Sequence, residues 1–329
     1  MNNARFDVTA IGNAIVDVLA YAEDKLLAEQ RLPKGAMSLI DAPRAEQLYG
    51  IMGPGVEASG GSAGNTIAGI AMLGGRTAFI GKVADDQLGR VFTHDIRAVG
   101  VTYDTPPLKD GLSTARSLIF ITPDAQRTMQ TFLGAATQLG PEDLNPDYIT
   151  GARVLYLEGY LWDEPRAKEA MLNAAKQAKE AGAKVAFTTS DAFCVDRFRA
   201  EFLDLIEHHV DILFANESEI LSLYQVDNFD DALQHVRGHC EIAALTRSEK
   251  GSVVLSGAEV HVIDAEKGVV VVDTTGAGDA YAAGFLYAYT QGRDLHTAGR
   301  LGSVMAAEVI SHIGPRPEAD VKALAAKVL

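Results

Sequence analysis

Cysteine is nearly absent from this chain: Cys194 and Cys240 are the only two in 329 residues, and no Cys-x-x-Cys occurs. That excludes a disulfide framework and leaves two reduced thiols as the expectation. Basic residues are also short, with 29 Lys and Arg against 44 Asp and Glu, a net charge of −15. Such a surface repels polyanions and argues against nucleic acid or an anionic membrane as partner. It leaves a phosphorylated small molecule open, because backbone amides and a bound metal act locally. No apolar run approaches membrane-span length, and the start, Met1-Asn2-Asn3-Ala4-Arg5-Phe6-Asp7, lacks a charged-then-apolar signal pattern. A cytoplasmic location is expected. His235 and His239 have metal-pair spacing on an expected helix. Without the Glu of His-Glu-x-x-His they read as a solvated helix face.

Hydrophobic residues at 47% and charged residues at 22% are ordinary for a soluble globular enzyme. The length allows one large domain, or one with a small appendage. Strands are expected at residues 6–12, 77–83, 154–157, 185–188, 210–214 and 242–245, with a hairpin over 252–255 and 260–263. Helices are expected at 63–73, 88–98, 164–181, 217–224 and from about 295 onward. Alternation of this kind means an α/β fold, its largely parallel sheet covered on both faces. Residues 20–40 and 111–137 break the rhythm. The second stretch reads as a β-hairpin, 115–122 and 127–132 around a turn at 123–126.

One heptad stands out: Asp273-Thr274-Thr275-Gly276-Ala277-Gly278-Asp279. It lies between four valines at 269–272, which read as a buried strand, and an Ala/Gly/aromatic run at 280–289, which reads as a buried helix. A glycine turn opening a helix offers converging amides and a positive helix end to an anion. Asp279 sits where that anion belongs. A carboxylate there would repel phosphate unless it takes a proton from the attacking group, which suggests phosphoryl transfer. A dinucleotide fold is disfavoured because Tyr281 occupies the third glycine position, and the Gly-Lys-Ser/Thr of a Walker loop is missing.

This heptad resembles the C-terminal signature of the ribokinase-like (PfkB) carbohydrate and nucleoside kinases. Further motifs agree in order: Gly12-Asn13-Ala14-Ile15-Val16-Asp17, then Gly60-Gly61-Ser62-Ala63-Gly64-Asn65, Gly74-Gly75, Gly81, Asp85-Asp86, Gly89, and Asn216-Glu217-Ser218-Glu219. The resemblance spans essentially the whole chain. It implies a three-layer α/β/α fold with a mostly parallel central sheet plus a small β-sheet lid. Residues 1–19, 41–110 and 138–329 would form the large catalytic domain, with 20–40 and 111–137 as the lid. A lid suits a kinase, since water competes with the acceptor.

By the same resemblance Asp279 is the general base, and the amides of Gly276, Ala277 and Gly278 are the anion hole. Asp273 and Thr275 shape the turn. ATP would meet Asn216, Thr246, Arg247, Gly251, Thr275, Gly276 and Gly278, with its adenine in a slot at 306–314. Asn216 and Glu219 would organise Mg²⁺ largely through water; read alone, they are equally a helix N-cap with an acid in the first turn. Some relatives also hold K⁺ near the turn. On the acceptor side, Asp17, Gly61 and Asn65 suit a vicinal diol, whose hydroxyls need hydrogen-bond acceptors. Arg127 would reach phosphate when the lid closes.

The hairpin at 122–136 and the run Leu155 to Asp163 look like the bacterial adenosine-kinase-like branch. Phe132, Tyr160, Leu161 and Trp162 would give a nucleobase a stacking platform; core and lid packing is the plainer reading of the same residues. The expected reaction is ATP-dependent phosphorylation of a nucleoside 5′-hydroxyl, adenosine first. A sugar kinase of the ribokinase or fructokinase type is the alternative within the class, and a non-catalytic nucleoside- or sugar-binding protein the alternative outside it. The chain would work as a monomer or homodimer.

Overall fold

The structure, a computed structural model, describes residues 4–124 and 126–329. Residues 1–3, and Ala125 in the turn expected at 123–126, lie outside the described residues. In chain order the strands are β1 (Phe6–Ile11), β2 (Ile15–Tyr21), β3 (Met37–Leu39), β4 (Gly55–Gly60), β5 (Thr77–Ile80), β6 (Ala115–Ile121) and β7 (Arg127–Phe132). They continue as β8 (Ala152–Glu158), β9 (Lys184–Thr188), β10 (Ile212–Asn216), β11 (Ile242–Thr246), β12 (Ser252–Ser256) and β13 (Glu259–Ile263). The helices are α1 (Asp24–Gln30), α2 (Ala42–Ile51), α3 (Ser62–Leu73), α4 (Gln87–Ala98), α5 (Pro146–Thr150) and α6 (Pro165–Glu180). After them come α7 (Ala192–His209), α8 (Glu217–Tyr224), α9 (Phe229–Val236), α10 (Ala277–Thr290), α11 (Leu295–Val309) and α12 (Val321–Ala325).

Eight strands form the main sheet in the order β13-β12-β11-β10-β9-β8-β1-β5. The strands from β11 to β5 run parallel; β12 and β13 add an antiparallel edge. Val154, Leu155, Tyr156 and Leu157 are all buried, as a strand covered on both faces must be. One core holds Ile67 and Ile70 of α3, Phe285 of α10 and Leu301 of α11. The other holds Met171 of α6, Phe202 of α7 and Leu223 of α8. Two cores on two faces make the three-layer α/β/α fold that the sequence implied. The carboxyl edge of this sheet carries Asn13 just past β1, Glu158 closing β8, and Asn216 registered with Thr246 at the ends of β10 and β11. Open α/β sheets bind ligands along that edge.

The second sheet has the order β3-β7-β6-β2-β4. It is larger than residues 20–40 and 111–137. Residues 15–19 and 55–60, expected in the large domain, pair here instead: β2 runs parallel to β6 from Ile15↔Ala115 and antiparallel to β4 from Ile15↔Gly60. Residues 42–51, also expected in the large domain, form α2, which packs on β6 and β7.

The four valines at 269–272 are not a buried strand. They join no ladder, and Val270, Val271 and Val272 are 76%, 59% and 40% exposed. Among the described residues the one backbone acceptor for this stretch is the Ile310 carbonyl, which accepts from the Val272 and Asp273 amides at 2.8 and 3.3 Å. His235 and His239 are both exposed, as the solvated reading expects, although His239 lies beyond the end of α9 and both rings lie near that of Tyr224. Among the described residues no group of three or more His, Cys, Asp or Glu could hold a metal. The cysteines are unpaired, as expected, and burial pushes both thiols up to about 12. No helix among the described residues is long and apolar enough to cross a membrane.

Candidate active site

The glycine turn is built by Asp273. Its Oδ1 accepts from the Thr275 amide (3.1 Å) and hydroxyl (2.8 Å), and its Oδ2 accepts from the Gly314 amide at 3.2 Å. Gly276 caps α10 with φ of 78°, the left-handed region that glycine enters without strain. Ala277 donates to the Thr274 carbonyl at 3.2 Å, so its amide is spent on the turn and leaves the expected anion hole one donor short. Among the described residues no acceptor meets the Gly276 and Gly278 amides. They remain available at the positive end of a 14-residue helix.

Asp279 lies in the first turn of α10, half-buried. Ser62 Oγ donates to its Oδ1 at 2.6 Å, and Asn65 Nδ2 lies 3.3 Å from its Oδ2. Burial pushes its carboxyl up to about 6, with the Ser62 and Asn65 hydrogen bonds opposing. Thus α3 delivers two donors to this carboxylate across 217 and 214 positions of sequence. Ser62 stood within a quoted motif but had no role assigned; a hydroxyl directly after paired glycines was the signal.

The residues expected on the acceptor side centre on Asp17 and Asn65, both 8% exposed. Gly61 caps α3 at φ 86°, and a Cβ there would strike the Asn13 carbonyl oxygen. Asp17 is pushed up to about 6 by burial; Arg316 and Arg127 pull against that, while Asp279 adds to it. Glu158, buried behind them, accepts from Asn13 Nδ2 (2.7 Å) and from the Ala63 amide (2.8 Å) that starts α3, and burial pushes it up to about 7. Sequence reasoning gave neither Glu158 nor Arg316 a role.

Arg127 does not point away to solvent. Its Nη1 lies 2.8 Å from Asp273 Oδ2, both side chains under 10% exposed, yet among the described residues none of its guanidinium nitrogens meets a partner in hydrogen-bond geometry. It is a buried cation held by charge alone.

The base platform is corrected. Leu161 and Trp162 are 1% and 2% exposed and belong to the core under α6 and α7; the Trp162 ring packs on Phe187 and Phe202 and donates to Glu201. Phe132, 7% exposed, lies under the Arg116 guanidinium within the second sheet. Tyr160 alone of the four is half-buried, its hydroxyl 3.4 Å from the Ser190 carbonyl. Leu161 and Trp162 fill volume because the turn that follows β8 is packed under α6 and α7 and has no free face.

Among the residues expected to meet ATP, Arg247 Nη2 bonds Glu217 at 2.9 Å and its guanidinium lies over Phe229. Gly251, with φ of 81°, closes the turn into β12. Residues 306–314 straddle the end of α11. Asn216 and Glu219 form a reciprocal capping box at the start of α8: Asn216 Oδ1 accepts from the Glu219 amide at 2.9 Å, and Glu219 accepts from the Asn216 amide and side chain. Thr189 Oγ1 donates to Glu219 Oε2 at 2.6 Å. This engaged carboxylate fits a Mg²⁺ carried on phosphates and reached through water, not one caged directly. Asn216→Ala is expected to remove a cap worth about 1 kcal/mol, lowering Tm and raising the KM for ATP while leaving that for the acceptor unchanged.

A carboxylate set against free helix-terminal amides, beside buried polar side chains that can bond hydroxyl groups, fits a phosphotransferase with an alcohol acceptor. The chain belongs to the pfkB family of carbohydrate kinases, whose profile matches residues 51–321. It is similar to the adenosine kinase of Sinorhizobium meliloti, with 55% identity and a TM-score of 0.91 over 99% of this chain and 100% of that one. It is equally similar to a probable sugar kinase from Rhizobium etli, with 55% identity and a TM-score of 0.91 over 98% of each chain. A 5-dehydro-2-deoxygluconokinase of Bacillus licheniformis is 28% identical over 318 residues, 93% of this chain and 90% of that protein. The fold is therefore ribokinase-like.

Proposed function

We propose that this kinase transfers the γ-phosphoryl group of ATP to the 5′-hydroxyl of adenosine. The observation that carries the reading is Asp279, held by Ser62 and Asn65 between the free amides of Gly276 and Gly278 and the Asp17 pocket. The adenosine hydroxyl oxygen attacks phosphorus, the bond to the bridging oxygen of ADP breaks, and the hydroxyl proton passes to ionised Asp279. The Gly276 and Gly278 amides meet the charge spreading over the transferred group. Asp17 accepts from the ribose hydroxyls. Mg²⁺, when bound, neutralises the nucleotide phosphates. Arg127, buried without hydrogen-bond partners, is the cation that would turn to phosphate if the second sheet closes over the site. Asp273 already faces that cation and three donors, so turnover is expected to persist without K⁺.

Similarity supports adenosine and a sugar about equally, given the two proteins at 55% identity. Burial of Leu161 and Trp162 favours the sugar reading, because it removes part of the base platform. An acidic acceptor such as 5-dehydro-2-deoxygluconate is disfavoured: of the cations acting on Asp17, Arg316 already faces Asp95 and Arg127 is the one assigned to phosphate. The test is ADP formation with Mg²⁺-ATP over adenosine, inosine, guanosine, ribose, fructose and 5-dehydro-2-deoxygluconate. Adenosine is expected to lead. Turnover confined to a sugar or sugar acid would overturn the acceptor and keep the chemistry. A protein of cytoplasmic location, monomeric or dimeric, fits this reading.

A further inference from the structure

The segment after α11 returns across the site. The Gly314 amide bonds Asp273, the Pro315 backbone packs on Gly276, and Arg316 enters the acceptor side. The Arg316 side chain is 15% exposed. Its guanidinium makes three separate contacts: Nη2 to Ser59 Oγ (2.7 Å), Nη1 to Asp95 Oδ2 (3.1 Å) and Nε to Asn65 Oδ1 (3.3 Å). Those partners come from β4, α4 and α3. Asp95 also accepts from the Ser59 amide at 2.8 Å, so its charge keeps a donor without the arginine.

The Asn65 amide has two possible orientations, and what surrounds it decides between them. A guanidinium can only donate, so Nε requires the Asn65 oxygen on its side. The amide nitrogen must then face Asp279, where it lies 3.3 Å from Oδ2. In the reverse orientation the Asn65 oxygen would meet a carboxylate and its NH₂ would meet a cation. We infer that Arg316 is a positioning residue for phosphoryl transfer, holding the Asn65 amide in the one orientation that donates to the base and leaves its second N–H for the acceptor. A lysine cannot replace it, because a single ammonium does not span three partners as a planar fork does.

The inference rests on the proposed nucleoside kinase reading, and the experiment separates the two. Steady-state constants for adenosine and ATP are measured for wild type, Arg316→Met, Asn65→Ala and the double variant. Arg316→Lys serves as a second probe that keeps the charge beside Asp95. Arg316→Met is expected to lower kcat/KM for adenosine by about tenfold or more, the scale of one charge-assisted hydrogen bond, with the KM for ATP within about twofold. The double variant should be no worse than Asn65→Ala, since the arginine acts through that side chain. Arg316→Lys should fold with a Tm near wild type and keep most of the adenosine defect. Losses that multiply in the double variant, or full rescue by lysine, would overturn the inference while wild-type adenosine turnover upholds the function. A wild type that does not turn over adenosine overturns both.

Discussion

Asp279→Asn is expected to lower turnover by about 10²- to 10⁴-fold, the range supplied by a positioned general base. The amide preserves shape and accepts no proton, so ATP and acceptor binding should change far less than kcat. In the wild type the base works only when ionised. With its carboxyl pushed up to about 6, kcat/KM should be full above that pH and fall as pH drops through it. Asp17 stands at about the same value, so the acid limb should steepen toward two protons. The same burial has an opposite consequence for stability. A carboxyl whose folded value is raised from 3.8 favours the folded state below that value, and the advantage is lost as pH rises through about 6. Asp279→Asn should therefore melt higher than wild type at pH 8 and no higher at pH 4. A variant that is slow and also less stable at pH 8 would contradict the burial argument.

Gly276→Ala is expected to cost nearly as much activity by another route. An added Cβ would lie 2.6 Å from the Pro315 oxygen and 2.7 Å from its Cα, and neither is the end of a flexible side chain. The φ of 78° adds about 1–2 kcal/mol for any L side chain. The turn must shift and its amide must lose aim, and losing one such donor typically costs about 10²- to 10³-fold in kcat. Gly278→Ala is the internal comparison. Its φ is not left-handed and nothing lies within 4 Å of an added Cβ, so its Tm should match wild type. Equal destabilisation of the two variants would mean that packing against Pro315 does not shape the anion hole.

The main sheet was legible because each strand and its helix carry their own periodicity. Even α8 kept its expected limits, fixed by the Asn216 cap. The second sheet was less so: β2 begins four residues after β1 ends, with nothing in the local pattern to mark the change of sheet. The valine run misled because four apolar residues read as buried whether or not a neighbouring strand exists to cover them. α7 went unnoticed because Phe198, at φ −118° and ψ 18°, interrupts its helical repeat. At the site, Asp279 and its turn were readable from a contiguous heptad. Arg316 was not, since its bond to Asn65 joins positions 251 apart and no local rule links them.

The two sheets meet through two short crossings. One is Gly12-Asn13-Ala14 between β1 and β2; the other is Gly61 between β4 and α3. Asp17 lies three positions beyond the first and Asn65 four beyond the second, so the joint between the sheets and the grip on the acceptor share the same few residues. Any rocking of the smaller sheet must carry Asp17 with it while Asn65 stays on the body of the molecule. On the proposed reading the acceptor would sit in a caliper, with Asp17 on the jaw of the smaller sheet and Asn65 on the jaw of the larger. An acceptor of the wrong length would be felt as an angle between sheets before it was felt as a missing hydrogen bond.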